Sequence, residues 1–352
     1  MKKTLLALMM LCCAIASKAQ VTDEISAILQ VGDSAKIFYG ADALKDAMEA
    51  APDRGATITL SSGTFNATQI TKCVNIYGAG WETINMPKDS VHPFDNSIRP
   101  TIIVNTMEIN LPAELTAPHN IHLEGLRFNG IFSPAIGSNP IDGLEVMKCY
   151  FAHNVGGNTT ALVDMENKNV YFIQCCIITG MFCAFFDMKL QNCFVSTGGE
   201  YSIIHSRKEG SSLIFDHCIV GNSRSSSYTD HGPLICNNCI VSITKKNSSQ
   251  IYRYCMMTDE ELDASFIGSE NNWFGLKWST VFKDAIDNLN YSDDRTFEFN
   301  EPSAFIGNDG TLVGINGGSF PWNKTPHTPL VKNLKLTING TNLNVNYDAE
   351  AR

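Results

Sequence analysis

The sequence predicts an all-β solenoid, and three observations carry that reading. The first is a short motif that recurs along the chain. Five segments place a cysteine in the same local frame: Leu144-Glu-Val-Met-Lys-Cys149-Tyr-Phe151, Val170-Tyr-Phe-Ile-Gln-Cys175-Cys-Ile177, Met188-Lys-Leu-Gln-Asn-Cys193-Phe-Val195, Leu213-Ile-Phe-Asp-His-Cys218-Ile-Val220 and Leu234-Ile-Cys-Asn-Asn-Cys239-Ile-Val241. Positions one, three, six and eight are apolar. Segments 58–65, 74–81, 102–109 and 121–128 fit the same pattern, with Gly63, Ala79, Met107 and Leu126 at position six. The second observation is the spacing. The nine starts are separated by 22 residues on average, with steps from 16 to 28. A fixed motif joined by elastic linkers is how a solenoid is written. The third is composition: the motifs are rich in Ile, Val, Phe and Cys, are separated by Gly, Asn and Ser, and show no 3.6-residue period.

Within a motif, positions one and three alternate as a strand does, and so do six and eight. The two residues between them shift the alternation by one, which requires a bend. The second bend residue is Gly78, Gly125, Asn192 or Asn238 in several repeats, types that tolerate a left-handed backbone. Lys148, Gln174 and His217 occupy the same place less comfortably. Strand, bend and strand every ~22 residues give two faces of a right-handed parallel β-helix, with the third strand and the longer loops in the variable stretches.

Position six points inward, so Cys149, Cys175, Cys193, Cys218 and Cys239 are expected to stack in one row with Leu126, Met107, Ala79 and Gly63. Rungs lie ~4.8 Å apart, too far for disulfides between in-register Cβ atoms, which need ~3.5–4.5 Å. Buried thiols acting as small hydrophobes are the expectation. Thiolates in one row cannot surround a metal tetrahedrally.

The ends differ from the middle. Lys2 and Lys3, the apolar run 5–16 and Ser17-Lys18-Ala19 read as a signal peptide over residues 1–19. No later apolar run reaches the ~18 residues of a spanning helix, so no transmembrane segment is expected, and the chain is read as exported to the periplasm, the cell surface or the medium. Residues 20–318 form the expected β-helix domain. Ala43-Leu44-Lys-Asp-Ala47-Met48-Glu-Ala-Ala51-Pro52 is an amphipathic helix stopped by proline, placed to cap the open end of the coil. Asn339-Gly340 between two alternating runs signals a hairpin in a short C-terminal β extension, residues 319–352.

This opening, with Gly55-Ala-Thr-Ile-Thr-Leu-Ser-Ser-Gly-Thr-Phe65 and Val74-Asn-Ile-Tyr-Gly-Ala-Gly80, resembles that of the pectin-lyase-like β-helix superfamily, as an exported bacterial member. The resemblance covers roughly residues 36–275 and concerns the fold. Asn271-Asn272-Trp273-Phe274-Gly275 is similar to a late rung of such proteins, and residues 301–318 to their closing segment. Many members cleave polysaccharides, and their lyases often hold calcium with carboxylates to neutralise a uronate. The hydrolase motifs of the superfamily are broken here: Asn105-Thr106 precedes Met107, Asp293-Asp294 lies beyond the regular coil, and His231-Gly232 follows Asp230. Asp164, Glu166, Asp187 and Glu200 are spread over neighbouring rungs and suit calcium only if they meet on one face; as solvated turns they do nothing. The densest polar group is His205, Arg207, Lys208, Arg224, Asp230 and His231, on loops of adjacent rungs. Histidine near aspartate suits general-base work, and an exposed loop surface is the plain alternative. His122 on an outer strand face and His217 at a bend are unremarkable alone.

Charge narrows the partners. The chain has 26 basic and 36 acidic residues, and without residues 1–19 the balance is 23 against 36, a net −13. That excludes a nucleic-acid face, which needs clustered Lys and Arg. The expected function is a non-catalytic, carbohydrate-associated exported protein, without cofactor unless calcium is bound. The alternative is a polysaccharide lyase or glycoside hydrolase.

One stripe needs a cover. Position seven faces outward and is Thr64, Gly80, Glu108 and Arg127 in early repeats, then Tyr150, Cys176, Phe194, Ile219 and Ile240. Monomers rarely expose so long an apolar row. The tail, with Phe320, Trp322, Leu330, Val331, Leu334, Leu336 and Ile338, is expected to lie over it.

Overall fold

The computed structural model describes residues 25–83, 99–134, 139–153, 155, 166–178, 187–196, 210–223, 234–243, 250–258, 270–327, 330–339 and 342–350. The predicted signal segment 1–19 lies outside them. The chain is a parallel β-helix closed at its N-terminal end by a hairpin and a helix. Strands β1 (Ser26–Val31) and β2 (Ser34–Tyr39) pair antiparallel, and β1 pairs antiparallel with β3 (Arg54–Leu60). This hairpin was not foreseen from the sequence. Helix α1 (Ala43–Ala50) buries Ala43, Leu44, Ala47 and Met48 on one side. It ends at Ala51, whose backbone is extended (φ −67°, ψ 147°), as the residue before a proline prefers.

The first wall stacks β3, β5 (Cys73–Tyr77), β8 (Ile121–Glu124), β11 (Asp142–Met147), β13 (Lys168–Ile173), β15 (Asp187–Gln191), β17 (Ser212–Asp216), β19 (Leu234–Asn237) and β21 (Gln250–Arg253), all parallel. The second wall stacks β4 (Gly63–Asn66), β6 (Thr101–Val104), β9 (Arg127–Phe128), β12 (Tyr150–Phe151), β14 (Cys176–Ile177), β16 (Phe194–Ser196), β18 (Ile219–Ser223), β20 (Ile240–Ile243) and β22 (Met256–Met257). On the third side, β7 (Met107–Ile109) pairs with β10 (Phe132–Pro134). Two columns of in-register side chains run the length of the core beside the inward cysteine row. Ile58, Ile76, Leu123, Val146, Phe172, Leu190, Phe215, Cys236 and Tyr252 descend one wall. Phe65, Ile103, Phe128, Phe151, Ile177, Val195, Val220, Val241 and Met257 descend the other, all buried.

Two repeats differ from the sequence reading. Residues 102–109 are not a rung of their own: β6 is the second strand of the rung that β5 begins, and β7 is its third. The bend between β5 and β6 carries the long insertion 78–100, so Thr101, not Ala79, pairs beside Gly63 in the inward row, and Met107 stands on another side. The ninth rung is instead Gln250-Ile-Tyr-Arg-Tyr-Cys255-Met-Met257, hidden by a polar residue at position one. Its Gln250 is buried and accepts a hydrogen bond from the Tyr252 hydroxyl at 3.0 Å.

From the third rung on, each bend turns on one left-handed residue: Gly125, Lys148, Gln174, Asn192, His217, Asn238, Tyr254 and Asn271, with φ from 49° to 69°; Gly78, read as such a residue from the sequence, is not left-handed. At the turn the position-four carbonyl accepts the position-five N–H of the preceding rung, as Ile173 O does from Lys148 and Gln191 O from Gln174, while the position-six N–H turns to sulfur. The thiols occupy that corner. Cys175, Cys193 and Cys218 donate to the carbonyls of Ile173, Gln191 and Asp216 at 3.3–3.4 Å. In the other direction, the N–H groups of Cys175, Cys193 and Cys218 reach the sulfurs of Cys193, Cys218 and Cys239 at 3.4–3.5 Å. Oxygen takes over at both ends of the coil. Thr101 Oγ1 accepts from Ala79 N at 2.8 Å and donates to Ser61 O, and Asn272 Oδ1 accepts from Cys255 N at 2.8 Å. All nine described cysteines are free and buried, and burial pushes the thiols of Cys149, Cys193 and Cys239 upward, keeping them protonated as donors.

The outer stripe is covered, by a segment other than the one expected. Cys176, Phe194, Ile219, Ile240 and Met256 pack against Trp278, Val281, Phe282, Ile286, Leu289, Phe297, Phe299, Val313 and Ile315, with Trp322 at the edge. Phe194 lies 5.4 Å from Tyr291 and 5.5 Å from Phe297, ring centre to ring centre. Residues 276–315 thus do what was expected of residues 319–350; among the described side chains of that tail, Trp322 joins the cluster. The chain then descends along the bends as a strap. Asn238 Nδ2 donates to Asn308 Oδ1 (2.9 Å), His217 meets Thr311 (3.1 Å), Asn192 donates to the carbonyls of Ile315 and Gly317 (3.0 and 2.7 Å), Gln174 to those of Phe320 and Pro321, and Lys148 to that of Thr325 (2.6 Å). Beyond it, β23 (Leu330–Asn339) and β24 (Asn342–Glu350) form the expected antiparallel hairpin, a sheet separate from both walls.

Two outcomes follow from this packing. A chain ended at residue 328 keeps the stripe covered and binds no more hydrophobic dye than the full chain, whereas one ended at residue 275 exposes it, binds dye and associates in sedimentation. In a chain starting at residue 20 and carrying Cys183→Ser, none of the nine thiols reacts with DTNB before denaturant unfolds it, and all nine react afterwards.

Candidate functional site

The strongest site lies on the outer face of the first wall. Strand residues at positions two and four point out of the coil, and the ~4.8 Å rung spacing brings those of adjacent rungs into contact. His122 of β8 therefore sits beside Glu145 of β11, its register partner, and beside Glu124, two residues along its own strand. His122 Nδ1 is 2.9 Å from Glu145 Oε1, and Nε2 is 3.1 Å from Glu124 Oε2. Both ring nitrogens face carboxylates, so both carry protons. Burial opposes the charge, but the hydrogen bonds that His122 donates to the two carboxylates outweigh it and raise His122 from the usual 6.5 to about 9.

Glu124 is 2% exposed because the strap crosses it. His327 donates to Glu124 Oε1 from its backbone N–H at 2.6 Å, and its Nδ1 lies 2.9 Å from the same oxygen. Lys148 Nζ lies 3.2 Å from His327 Nε2, so that nitrogen accepts and Nδ1 donates. Burial would raise Glu124, yet the hydrogen bonds from His122 and His327 hold it below the usual carboxylate range. Glu145 is likewise lowered, chiefly by its hydrogen bond from His122.

Around this triad runs an open groove of about 510 Å³, lined by Asn75, Asn120, His122, Asp142, Glu145, Asn169 and Tyr171 among others. Tyr77 packs its ring 5.1 Å from that of His122, and Tyr171 is 38% exposed. The groove's edge is a second column of left-handed residues, Asn120, Gly143 and Asn169. A Cβ on Gly143 would stand 3.0 Å from the backbone N of Asn120, so only glycine fits between the asparagines. Asn169 Nδ2 donates to Asp142 Oδ1 at 2.6 Å.

An imidazolium held by two carboxylates of lowered pKa is a poor general base, and those carboxylates are poor general acids. What the arrangement offers is an aromatic and amide surface with fixed charges, suited to holding a ligand. The groove was not recognised from the sequence, where His122 stood alone. The signal was present, since His122, Glu124 and Glu145 occupy positions two and four of adjacent motifs.

The candidates His205, Arg207, Lys208, Arg224, Asp230 and His231 lie outside the described residues, as do Asp164 and Glu200. Glu166 pairs with Lys168 at 3.2 Å, and Asp187 accepts from the Ser212 hydroxyl at 2.9 Å. Among the described residues, no group of three His, Cys, Asp or Glu side chains is placed to hold a metal ion. His217, read as a plain bend residue, bridges Asp216 (2.9 Å) and Asp309 of the strap (3.3 Å). No helix among the described residues is long and apolar enough to cross a membrane. Comparison with protein-family models, with curated proteins and with solved structures finds no match.

The raised His122 makes stability depend on pH with a definite sign. The folded chain keeps a proton that the unfolded chain releases, so the stabilisation is full below about pH 6.5 and is lost as pH rises through about 9. In His122→Gln that slope disappears. Denaturant unfolding at several pH values reads the difference, whose ceiling is about 3 kcal/mol from the size of the shift.

Proposed function

We propose that this chain is an exported, non-catalytic β-helix protein of the pectin-lyase-like kind, acting in the periplasm, at the cell surface or in the medium, and that the groove on its first wall holds a glycan. The observation that carries the reading is the groove itself, where an exposed tyrosine, asparagines and carboxylates surround a histidine whose two nitrogens are already engaged. Aromatic faces pack against the C–H faces of sugar rings, while amides and carboxylates pair with hydroxyls. Rungs repeating at ~4.8 Å suit a polymer, because successive rungs present similar surfaces along one line.

Charge selects among glycans. Asp142 and Glu145 outnumber the single imidazolium of His122 along the groove, and the chain as a whole is acidic. A uronate polymer would meet like charge, which costs affinity. A neutral polysaccharide is therefore the favoured ligand class.

The test is a titration of the protein against neutral and uronate oligosaccharides by calorimetry, alongside absorbance at 235 nm for lyase products and a reducing-end assay for hydrolysis. The expected result is binding of a neutral oligosaccharide, weakened about tenfold by Tyr171→Ala, on the scale of one lost stacking contact, with no product formed. Product formation in either assay overturns the non-catalytic reading in favour of a lyase or hydrolase, and equal binding by Tyr171→Ala overturns the groove.

A further inference from the structure

The N-terminal end of the first wall is an open sheet edge. In the order of its eleven strands β2 stands last, with β1 on one side and, among the described residues, no strand on the other. Five of its six residues are exposed, and Phe38 is half-buried. The usual devices that blunt an edge are missing. The β1–β2 register has no bulge, and the strand Ser34–Tyr39 carries no proline and one charge, Lys36. Its outward face is apolar as well. Ile28 and Ile37 are register partners, 39% and 49% exposed, and Tyr39 is 59% exposed. A bare edge beside a bare apolar face marks a place of association.

The hairpin's own hydrogen bonds determine which groups reach that edge. In an antiparallel pair, partners that exchange hydrogen bonds alternate with partners that do not. Gly40 N donates to Ile25 O at 2.9 Å just beyond the strands, and the two-residue turn Gly32-Asp33 closes on Val31 and Ser34. Both set the same phase. Ser34, Lys36 and Phe38 turn their N–H and C=O groups to β1, while Ala35, Ile37 and Tyr39 turn theirs to the open side. The occupant must be a strand that offers free groups at every second residue, and β2 of a second copy does so. Antiparallel about a two-fold axis, the register centred on Ile37 matches all the free residues: Ile37 meets Ile37, and each Ala35 meets a Tyr39, for about six hydrogen bonds. Centring on Lys36 leaves both Tyr39 residues unmatched and sets lysine against lysine; centring on Phe38 leaves both Ala35 residues unmatched. With Ile37 on the axis, Lys36 stands opposite Phe38 of the other copy. Its ammonium already lies 4.6 Å from the centre of its own Phe38 ring, so the charge meets an aromatic face and not its like. Ile28, Ile37 and Tyr39 of the two copies then join into one apolar surface.

We propose that this chain forms a two-fold dimer by antiparallel pairing of β2 with β2 of a second copy, with Ile37 on the axis. The contact is self-complementary and closed, because pairing covers both free edges and assembly stops at two. It is small, with one six-residue strand from each copy at its centre, so monomer and dimer exchange. The dimer does not rest on the glycan reading, and no residue of β2 lines the groove.

The experiment is sedimentation of the chain starting at residue 20 over a series of concentrations, where a monomer–dimer equilibrium is expected. Ile37→Lys and Ile37→Glu each place like charges on the axis and weaken dimerisation by about tenfold or more. An equimolar mixture of the two recovers it, since unlike charges then face each other. Thermal melting checks that both variants fold. The register has its own readout. In a Cys183→Ser background, Ile37→Cys links into a covalent dimer on oxidation, because opposed Cα atoms ~5.5 Å apart are within disulfide reach; Tyr39→Cys, facing Ala35, does not. A wild type that stays monomeric, an Ile37→Lys variant that dimerises as well as wild type, a mixture no better than its components, equal linking of the two cysteine variants, or growth past the dimer overturns the proposal.

Discussion

The left-handed residue at each bend from the third rung onward is the constraint on which the rest of the structure depends. It lets two strands meet at an angle with only two residues between them, and it aims one side chain into the coil and the next away from it. A non-glycine residue in that conformation costs roughly 1–2 kcal/mol, and here Lys148, Gln174, Asn192, His217 and Asn238 all adopt it. The cost is offset on both sides of the wall. Inside, the following cysteine donates to the position-four carbonyl of its own rung and its sulfur accepts from the preceding rung's amide. Outside, the bend side chain itself hydrogen-bonds the strap. Cysteine suits the inner place because it is compact, tolerates full burial and still offers a weak donor and acceptor. Leucine at 126 fills the same corner but offers neither.

The strap in turn makes the groove what it is. Glu124 points outward from its strand, yet it is as buried as a core residue because His327 lies over it. A carboxylate under such cover keeps its charge only with donors around it, and His122 and His327 supply them. His122 is thereby committed to a structural proton. The chemistry of the outer wall is set by a chain segment some two hundred residues away in sequence, through contacts that no local pattern announces.

Much of the coil was legible because a solenoid repeats itself, and repetition is visible in one sequence. The inward row from Leu126 to Cys239 came from spacing alone. The misreadings arose where the repeat was interrupted. An insertion inside the bend after Gly78 separated β5 from β6, so the apolar alternation at 102–109 counterfeited a new rung. Gln250 at an apolar position concealed the rung that carries Cys255, because a buried glutamine bonded to a tyrosine within the core looks like a surface residue in sequence. The cover over the stripe was anticipated as a need and assigned to the wrong segment. The tail's alternating residues advertise a strand, whereas Trp278 opens a single helical turn and Phe282, Phe297 and Phe299 lie outside any helix or strand, with no period to reveal which way they face. The groove depended on pairing residues 23 apart, which became possible only once the register of β8 and β11 was known.

The unlike side chains along the bends have a consequence of their own. A column of identical asparagines would hold a strap equally well in any register, since each rung would offer the same donor at the same height. Here the donors differ in length and chemistry, from Asn238 and Asn192 to Gln174 and Lys148, and the carbonyls they reach lie at uneven intervals along the strap, at 315 and 317, 320 and 321, then 325. Gly125 adds a negative constraint: a Cβ there would stand 2.9 Å from that of Pro326, so the proline seats only where the bend is bare. A slip by one rung would set Pro326 against a side chain and leave buried Lys148 without its carbonyl, a penalty of the kind that unpaired buried charges bring. The same mismatch fixes which residues stand at the strap's end, and therefore places His327 over Glu124 and Lys324 beside Glu82. Residues that looked ill-suited to a bend in sequence are those that give the outer surface one arrangement.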